Sequence, residues 1–194
     1  MAWKKHFKTK DGKIIILRDL NKKDSPRKLM NFINSFVDEK AFLLVDKKWS
    51  LAEERKWISS TLEEMKKGQT LLLVVEDKGK IIGTISAERQ KFKLRNNVLL
   101  GIAIKREYRN QGLGYIAMKE VIKRVRKEMK PKNIYLTVIS QNKLAKKLYE
   151  KLGFRHHHIL KNWVNHYGKY YDEEFMILEK IIRHQKEKSI LILK

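Results

Sequence analysis

Arg109-Asn110-Gln111-Gly112-Leu113-Gly114 is the stretch on which the fold turns. Ahead of it, residues 98–104 form a continuous apolar run of strand length. Behind it, Leu113, Ala117, Val121 and Val125 recur every four residues, with Lys119, Lys123, Arg126 and Lys127 turned outward, the pattern of an amphipathic helix. Strand, glycine-bearing loop and helix in that order bring backbone N–H groups at a helix start close to an anion, and a pyrophosphate suits such a cradle. As a dinucleotide fingerprint the stretch fails, because its glycine spacing is wrong and it follows a fourth predicted strand; it also has no P-loop lysine.

Downstream, Pro131 closes the helix and residues 134–139 read as a strand. Residues 142–151 read as a short helix with Leu144, Leu148 and Leu152 on its buried side and Gly153 as its stop. Residues 154–163 and 170–178, joined through Asn165-His166-Tyr167-Gly168, make a last strand pair. Upstream, residues 71–75 and 81–87 flank the turn Asp77-Lys78-Gly79-Lys80 as a hairpin. Ser50-Leu51-Ala52-Glu53 has capping-box spacing and opens a helix that ends near Gly68. Asp24-Ser25-Pro26 opens another through about Val37, and residues 13–18 form a strand after Asp11-Gly12. The order β-α-α-β-β-β-α-β-α-β-β is an α/β class, a mixed and mostly antiparallel twisted sheet flanked by helices. Pro26 and Pro131 are the only prolines and no Ser/Gly linker interrupts the chain. A single domain is therefore expected over residues 1–180, followed by a tail, 181–194, in which Lys186, Lys188 and Lys194 flank Ile190-Leu191-Ile192-Leu193.

Composition narrows the chemistry. Lys+Arg 45 against Asp+Glu 22 gives a net charge of +23, which points to phosphate-bearing ligands, nucleic acid or an acidic partner. With no cysteine, disulfide scaffolds, cysteine zinc sites and thiol nucleophiles are excluded. Lys4, Lys5, Lys8 and Lys10 precede no apolar stretch of signal-peptide or membrane-span length, so a soluble, cytoplasmic protein, monomeric or homodimeric and without a membrane partner, is expected.

Arg109, Gly112 and Gly114 match the form Arg/Gln-x-x-Gly-x-Gly/Ala, and Asn142-Lys143-Leu144-Ala145-Lys146-Lys147-Leu148-Tyr149-Glu150-Lys151-Leu152-Gly153-Phe154 matches Asn-x-x-Ala-x-x-Leu-Tyr-x-x-x-Gly-Phe. These two signatures resemble those of the GCN5-related N-acetyltransferase (GNAT) superfamily. Gly168-Lys169-Tyr170-Tyr171-Asp172 with Met176 resembles the closing hairpin of its ribosomal-protein and small-amine branch. The resemblance covers about residues 13–178. It implies acetyl-CoA as co-substrate, with no metal, and transfer to a primary amine (a protein N-terminus, lysine or small amine) by direct attack in a ternary complex. It further implies that the strand containing Ile102, Ala103 and Ile104 splays from its neighbour and offers backbone donors to the pantetheine. Arg109, Asn110, Gln111, Gly112, Leu113 and Gly114 would then hold the pyrophosphate, Asn142 and Lys147 would join the cofactor contacts, and Tyr149 would give a proton to the departing thiolate. Lys105, Arg106, Arg109, Lys143 and Lys147 cluster around these segments as candidate phosphate contacts.

Asn142 and Tyr149 are seven apart and share one side of a helix; on spacing alone they are also an N-cap and a helix-face aromatic. An alkylammonium has a pKa near 10.4 and must lose a proton before it attacks. Many relatives carry a carboxylate where this chain has Val98, Leu99 and Leu100, so the candidate bases are Glu88, or Asp38 and Glu39. Along a strand His156 and His158 share a face that His157 does not, which disfavours a three-histidine metal site and leaves them as hairpin surface. Trp49, Trp57 and Trp163 read as core or cleft-wall aromatics, and Asp172, Glu173 and Glu174 as acids near the acceptor. A second reading is a basic nucleic-acid- or ribosome-binding module that keeps the fold without catalysis. It rests on the net charge and the basic face of the Gly112 helix.

Overall fold

Ile14–Asp19 (β2) buries Ile15 and Leu17 on alternate positions and pairs on one side with Lys4–Lys8 (β1), in a computed structural model that describes residues 3–9 and 12–179. β1 is an addition to the predicted order. Three lysines among its five residues hide it in the sequence, while Trp3 and Phe7 fold onto the core and Lys5 reaches Glu120 at 2.8 Å. Asp11 and the tail, including Lys186, Lys188 and residues 190–194, lie outside the described residues.

Two helices follow. Pro26–Asp38 (α1) starts on Ser25, whose hydroxyl accepts from Lys28 N–H, and Leu51–Lys66 (α2) starts on the complete Ser50/Glu53 capping box. Thr70–Asp77 (β3) and Lys80–Arg89 (β4) form the expected hairpin, Lys78 and Gly79 both taking the positive φ of a two-residue turn. Asn97–Ile104 (β5) leads through the glycine loop to Leu113–Arg124 (α3), which runs on through a π-helical turn, Val125–Met129. Asn133–Ile139 (β6), Lys143–Leu152 (α4), Phe154–His166 (β7) and Lys169–Leu178 (β8) complete the chain.

The eight strands lie in the order β1-β2-β3-β4-β5-β6-β8-β7, antiparallel throughout except for β5 and β6. Two cores form on opposite faces. Leu113, Met118, Val121 and Val125 of α3, with Tyr149 of α4, pack over one; Leu29, Phe32 and Phe36 of α1, with Ile58 of α2, pack over the other.

Three details differ from the sequence reading. Leu144 is exposed rather than buried, because α4 turns its first turn toward a cleft and leaves Leu148 and Leu152 to make the core contact. Trp163 stands 64 % exposed on β7, the outermost strand, where no layer covers it. The simple alternation of His156, His157 and His158 is interrupted, because the pairing register shifts there: His156 opposes Met176 and His158 opposes Phe175. No helix of the described residues is long and apolar enough to cross a membrane.

Candidate active site

The parallel pair at the centre of the sheet is short. β5 and β6 register only from Asn97 to Leu99 against Asn133 to Tyr135, after which β5 stays with β4 and β6 with β8. The wedge between them opens into a cleft of about 820 Å³ that also reaches the glycine loop and α4. Lys105 N–H donates to the Ile82 carbonyl at 2.9 Å and Gln90 N–H to the Asn97 carbonyl at 3.0 Å. In the alternation of an antiparallel pair, Gly101 and Ala103 thus turn their backbone groups to β4 while Ile102 and Ile104 turn theirs into the wedge. The Ile104 carbonyl is taken by Arg109 Nε at 2.8 Å, which leaves the Ile102 and Ile104 N–H groups and the Ile102 carbonyl facing the cleft.

The second feature of the cleft is the start of α3. Gly112 is its N-cap in the left-handed region, φ 79°, and no side chain caps the helix. The first N–H groups of α3 therefore lack both an intrahelical acceptor and a capping one, whereas α1, α2 and α4 begin on Ser25, Ser50 and Asn142. An anion at this end would meet aligned amides and the positive end of the helix dipole. The two glycines serve different ends. Around Gly112 a Cβ would meet nothing within 4 Å, so its need is the positive φ and an open approach. A Cβ at Gly114 would stand 3.1 Å from Leu148 Cδ2, so Gly114 lets α3 and α4 close on each other as well as keeping the cleft floor low. Leu113 is buried in the core and Gln111 Nε2 is spent on the Glu107 carbonyl at 2.8 Å; Asn110, at φ 62°, lines the cleft.

Arg109 does not point at the loop's mouth. Its guanidinium forms a two-toothed pair with Glu39, Nη2 to Oε2 at 2.9 Å, and lies over the Phe36 ring. This clasp ties the loop to the end of α1 and engages one of the candidate bases. Of the candidate phosphate contacts, Arg106 and Lys147 line the cleft with Arg109, whereas Lys105 and Lys143 stand outside its lining. Lys151, which sequence reasoning passed over, lines it too and sits 5.0 Å from the Tyr115 ring.

Asn142 and Tyr149 come together on the cleft side of α4. Asn142 Oδ1 caps the helix by accepting from Ala145 N–H at 3.2 Å, so the cap and a cleft-facing amide coexist in one side chain. Tyr149 is 7 % exposed, its ring against Phe154, and burial pushes its phenol up to about 12; the hydroxyl thus holds its proton at neutral pH. Beside it, His156 Nδ1 meets Glu174 at 2.7 Å and Nε2 meets Glu150 at 3.0 Å, and Lys146 reaches Glu174 at 2.6 Å. His156 is thereby a tie between α4 and the sheet, not free hairpin surface. Among the described residues no group of three metal-ligating side chains converges.

A smaller cavity of about 280 Å³ lies on the α1/α2 side of the sheet. Leu43, Leu44, Ser86, Gly101, Ile102 and Ala103 line both spaces, so the two meet across β5. A Cβ at Gly101 would lie 2.9 Å from Ser86 Oγ, and the glycine keeps that junction clear. Trp49 and Trp57, edge to face at 6.2 Å, wall the cavity, and Glu88 and Glu54 both line it. Asp38 instead pairs with Lys48 at 2.7 Å and lines neither space. Asp172 is held by Lys161 at 2.8 Å, and Glu173 lines the larger cleft. Glu54 escaped sequence reasoning: next to the capping-box Glu53 it reads as one more helix-start acid. Its signal is its position four before Ile58 and seven before Thr61, the core-facing stripe of α2.

The profile of the acetyltransferase (GNAT) family matches residues 34–154, more than half of the chain. Solved structures share the architecture. An acetyltransferase of the same family from Streptococcus pneumoniae superposes with a TM-score of 0.74 at 24 % identity, over 84 % of this chain and 97 % of that one. The yncA protein of Salmonella typhimurium, solved with its cofactor acetyl-CoA, gives 0.74 at 20 % identity, over 85 % and 93 %. A ribosomal-protein-S5-alanine acetyltransferase from Vibrio fischeri gives 0.76 at 20 % identity, over 89 % and 95 %. At these identities the likeness establishes the fold. No curated protein matches the chain by sequence.

Proposed function

The chain belongs to the acetyltransferase (GNAT) family, and on that footing we propose that it transfers the acetyl group of acetyl-CoA to a primary amine by direct attack in a ternary complex. The observation that carries this reading is the coincidence, in one cleft, of the unpaired Ile102 and Ile104 amides with the uncapped start of α3. Peptide-like groups of a pantetheine arm can pair with the first, as a third strand pairs with an edge, and a pyrophosphate with the second. Arg106, Lys147 and Lys151 add positive charge for the phosphates.

Acetyl-CoA supplies an activated thioester carbonyl. The chain's own groups supply the rest. A wedge-facing N–H of β5 steadies the carbonyl oxygen as charge gathers there. The Tyr149 hydroxyl, still protonated at pH 7, gives its proton at the sulfur. With no cysteine to carry the acyl group, a direct transfer needs donor and amine bound together, and the junction across β5 offers adjoining rooms for the two.

The test is calorimetry with CoA, then a panel of amines incubated with acetyl-CoA and read by mass spectrometry. One CoA per chain and an amine that gains an acetyl group are the expected results; CoA binding with no acetylated product from any amine class overturns the transfer reading.

A further inference from the structure

Resting on the transfer reading above, we infer that Glu54 is the base that takes the acceptor's proton, and that the cavity it closes selects a compact primary amine borne on an apolar body. Glu54 is 2 % exposed, yet it lines the smaller cavity. Of the other buried carboxylates, Glu174 has Lys146 and His156, Asp77 accepts from the Tyr108 hydroxyl at 2.9 Å, and Glu173 faces the larger cleft. Glu54 has none among the described residues, neither a cation nor a hydrogen-bond donor to its side chain. An unpaired buried carboxylate costs stability, and replacing it by an apolar side chain would remove that cost. Its presence makes chemical sense if a cation visits.

The cavity is built for such a visitor. Phe32, Trp49 and Trp57 present aromatic surface, toward which an ammonium is drawn, and Leu29, Ile33 and Leu72 make the remaining wall apolar. At about 280 Å³ the space is at the small end of ligand cavities, which suits a compact body rather than a long chain. Glu54 and Glu88 are its only ionisable lining groups, and Glu88, exposed at the end of β4, stands in solvent. Burial alone pushes the Glu54 carboxyl up to about 7, close to the optimum for a base that works at neutral pH. The same apolar surroundings lower the ammonium's own pKa, narrowing the gap between donor and acceptor.

The proton balance is simple. The ammonium passes one proton to a Glu54 oxygen, which later releases it to solvent, and the freed lone pair faces Gly101 and the junction. There a C–N bond replaces the C–S bond, Tyr149 protonates the departing thiolate, and the second nitrogen proton, released to solvent as the amide forms, is balanced by the one that returns to the Tyr149 phenolate.

The experiment compares wild type, Glu54→Gln and, as a control on the outer face of α2, Glu63→Gln, using 2-phenylethylamine as probe amine, with spermidine and an alanine-led peptide as alternatives. Glu54→Gln should lower kcat by about 10²- to 10⁴-fold with acetyl-CoA affinity within twofold, and should abolish a rise in kcat/KM with an apparent pKa near 7. Phenylethylamine should exceed spermidine and the peptide at least tenfold in kcat/KM. A readout without turnover is thermal stability against pH. The unfolded Glu54 ionises near 4.5 and the folded one near 7, so wild-type stability falls as pH rises through that window. Glu54→Gln, always neutral, should therefore gain on wild type between pH 4.5 and about 7 and hold that gain above it. Turnover by Glu54→Gln within twofold of wild type, an unchanged pH profile, or spermidine or the peptide as the better acceptor would each overturn the inference. If no amine is acetylated at all, the transfer reading falls, and saturable quenching of tryptophan fluorescence by phenylethylamine, weakened in Glu54→Gln, still decides whether the cavity takes the amine.

Discussion

The larger cleft and the smaller cavity are built from different materials. The cleft offers backbone: two amides of β5 and the first turn of α3, each left without a partner by the way the sheet parts and the helix starts. The cavity offers side chains: two carboxylates, two tryptophans and two hydroxyls brought from α2, the segment before it, and β4. Backbone sites demand glycine at fixed spacing and so leave a contiguous trace in the chain. Side-chain sites tolerate any residues that fold can bring together, and leave none. The comparison teaches which half of a transferase announces itself.

The sharpest attempt to break this contrast is to remove chemistry from the cleft without touching its backbone. Tyr149→Phe keeps the ring against Phe154 and deletes the proton, so kcat should fall by about 10²- to 10⁴-fold while CoA affinity and melting temperature stay near wild type. Full kcat with chemistry rate-limiting would make Tyr149 a packing residue. Next in size, Gly112→Val places a branched side chain at φ 79° above the open start of α3, and should weaken CoA at least tenfold in calorimetry, with a stability loss of about 1–2 kcal/mol from the left-handed backbone. Gly114→Val is the less clean probe, because it presses on Leu148 and so mixes packing with binding. Equal CoA affinity in Gly112→Val and wild type would move the anion site elsewhere.

Smaller again is the effect of the ligand's own charge. Dephospho-CoA should bind more weakly than CoA by about 1 kcal/mol if Arg106, Lys147 or Lys151 meets the 3′-phosphate, and equal binding would reject those contacts. On the cavity side, Ser50→Ala removes the cap that holds α2, and with it Glu54, in place. It should cost about 1 kcal/mol in a denaturation curve and leave CoA affinity unchanged. A cost confined to the cavity side is what two separately built sites require.

Legibility followed the same line. The sequence order of eleven elements could be read from apolar period, the Ser50/Glu53 box and the Lys78-Gly79 turn, because each is a local interaction. β1 could not, since its pairing with β2 and its lysine-rich composition carry no local apolar signal. Arg109 was visible as a motif residue, but its clasp on Glu39, seventy positions away, belongs to tertiary structure. Leu144 misled for a related reason: a helical stripe tells which residues share a face, and not where that face stops meeting protein and starts meeting a cleft. Glu54 was the hardest of all, a charged residue in a charged helix whose meaning lies wholly in what surrounds it.

The central claim is that the parting of β5 from β6 and the bare start of α3 form one binding surface, and hydrogen exchange with and without CoA tests it most directly. CoA should slow exchange in residues 101–104 and 112–116 together and leave β1 and β2 unchanged. Protection of neither segment at saturating CoA, or of one without the other, would contradict it.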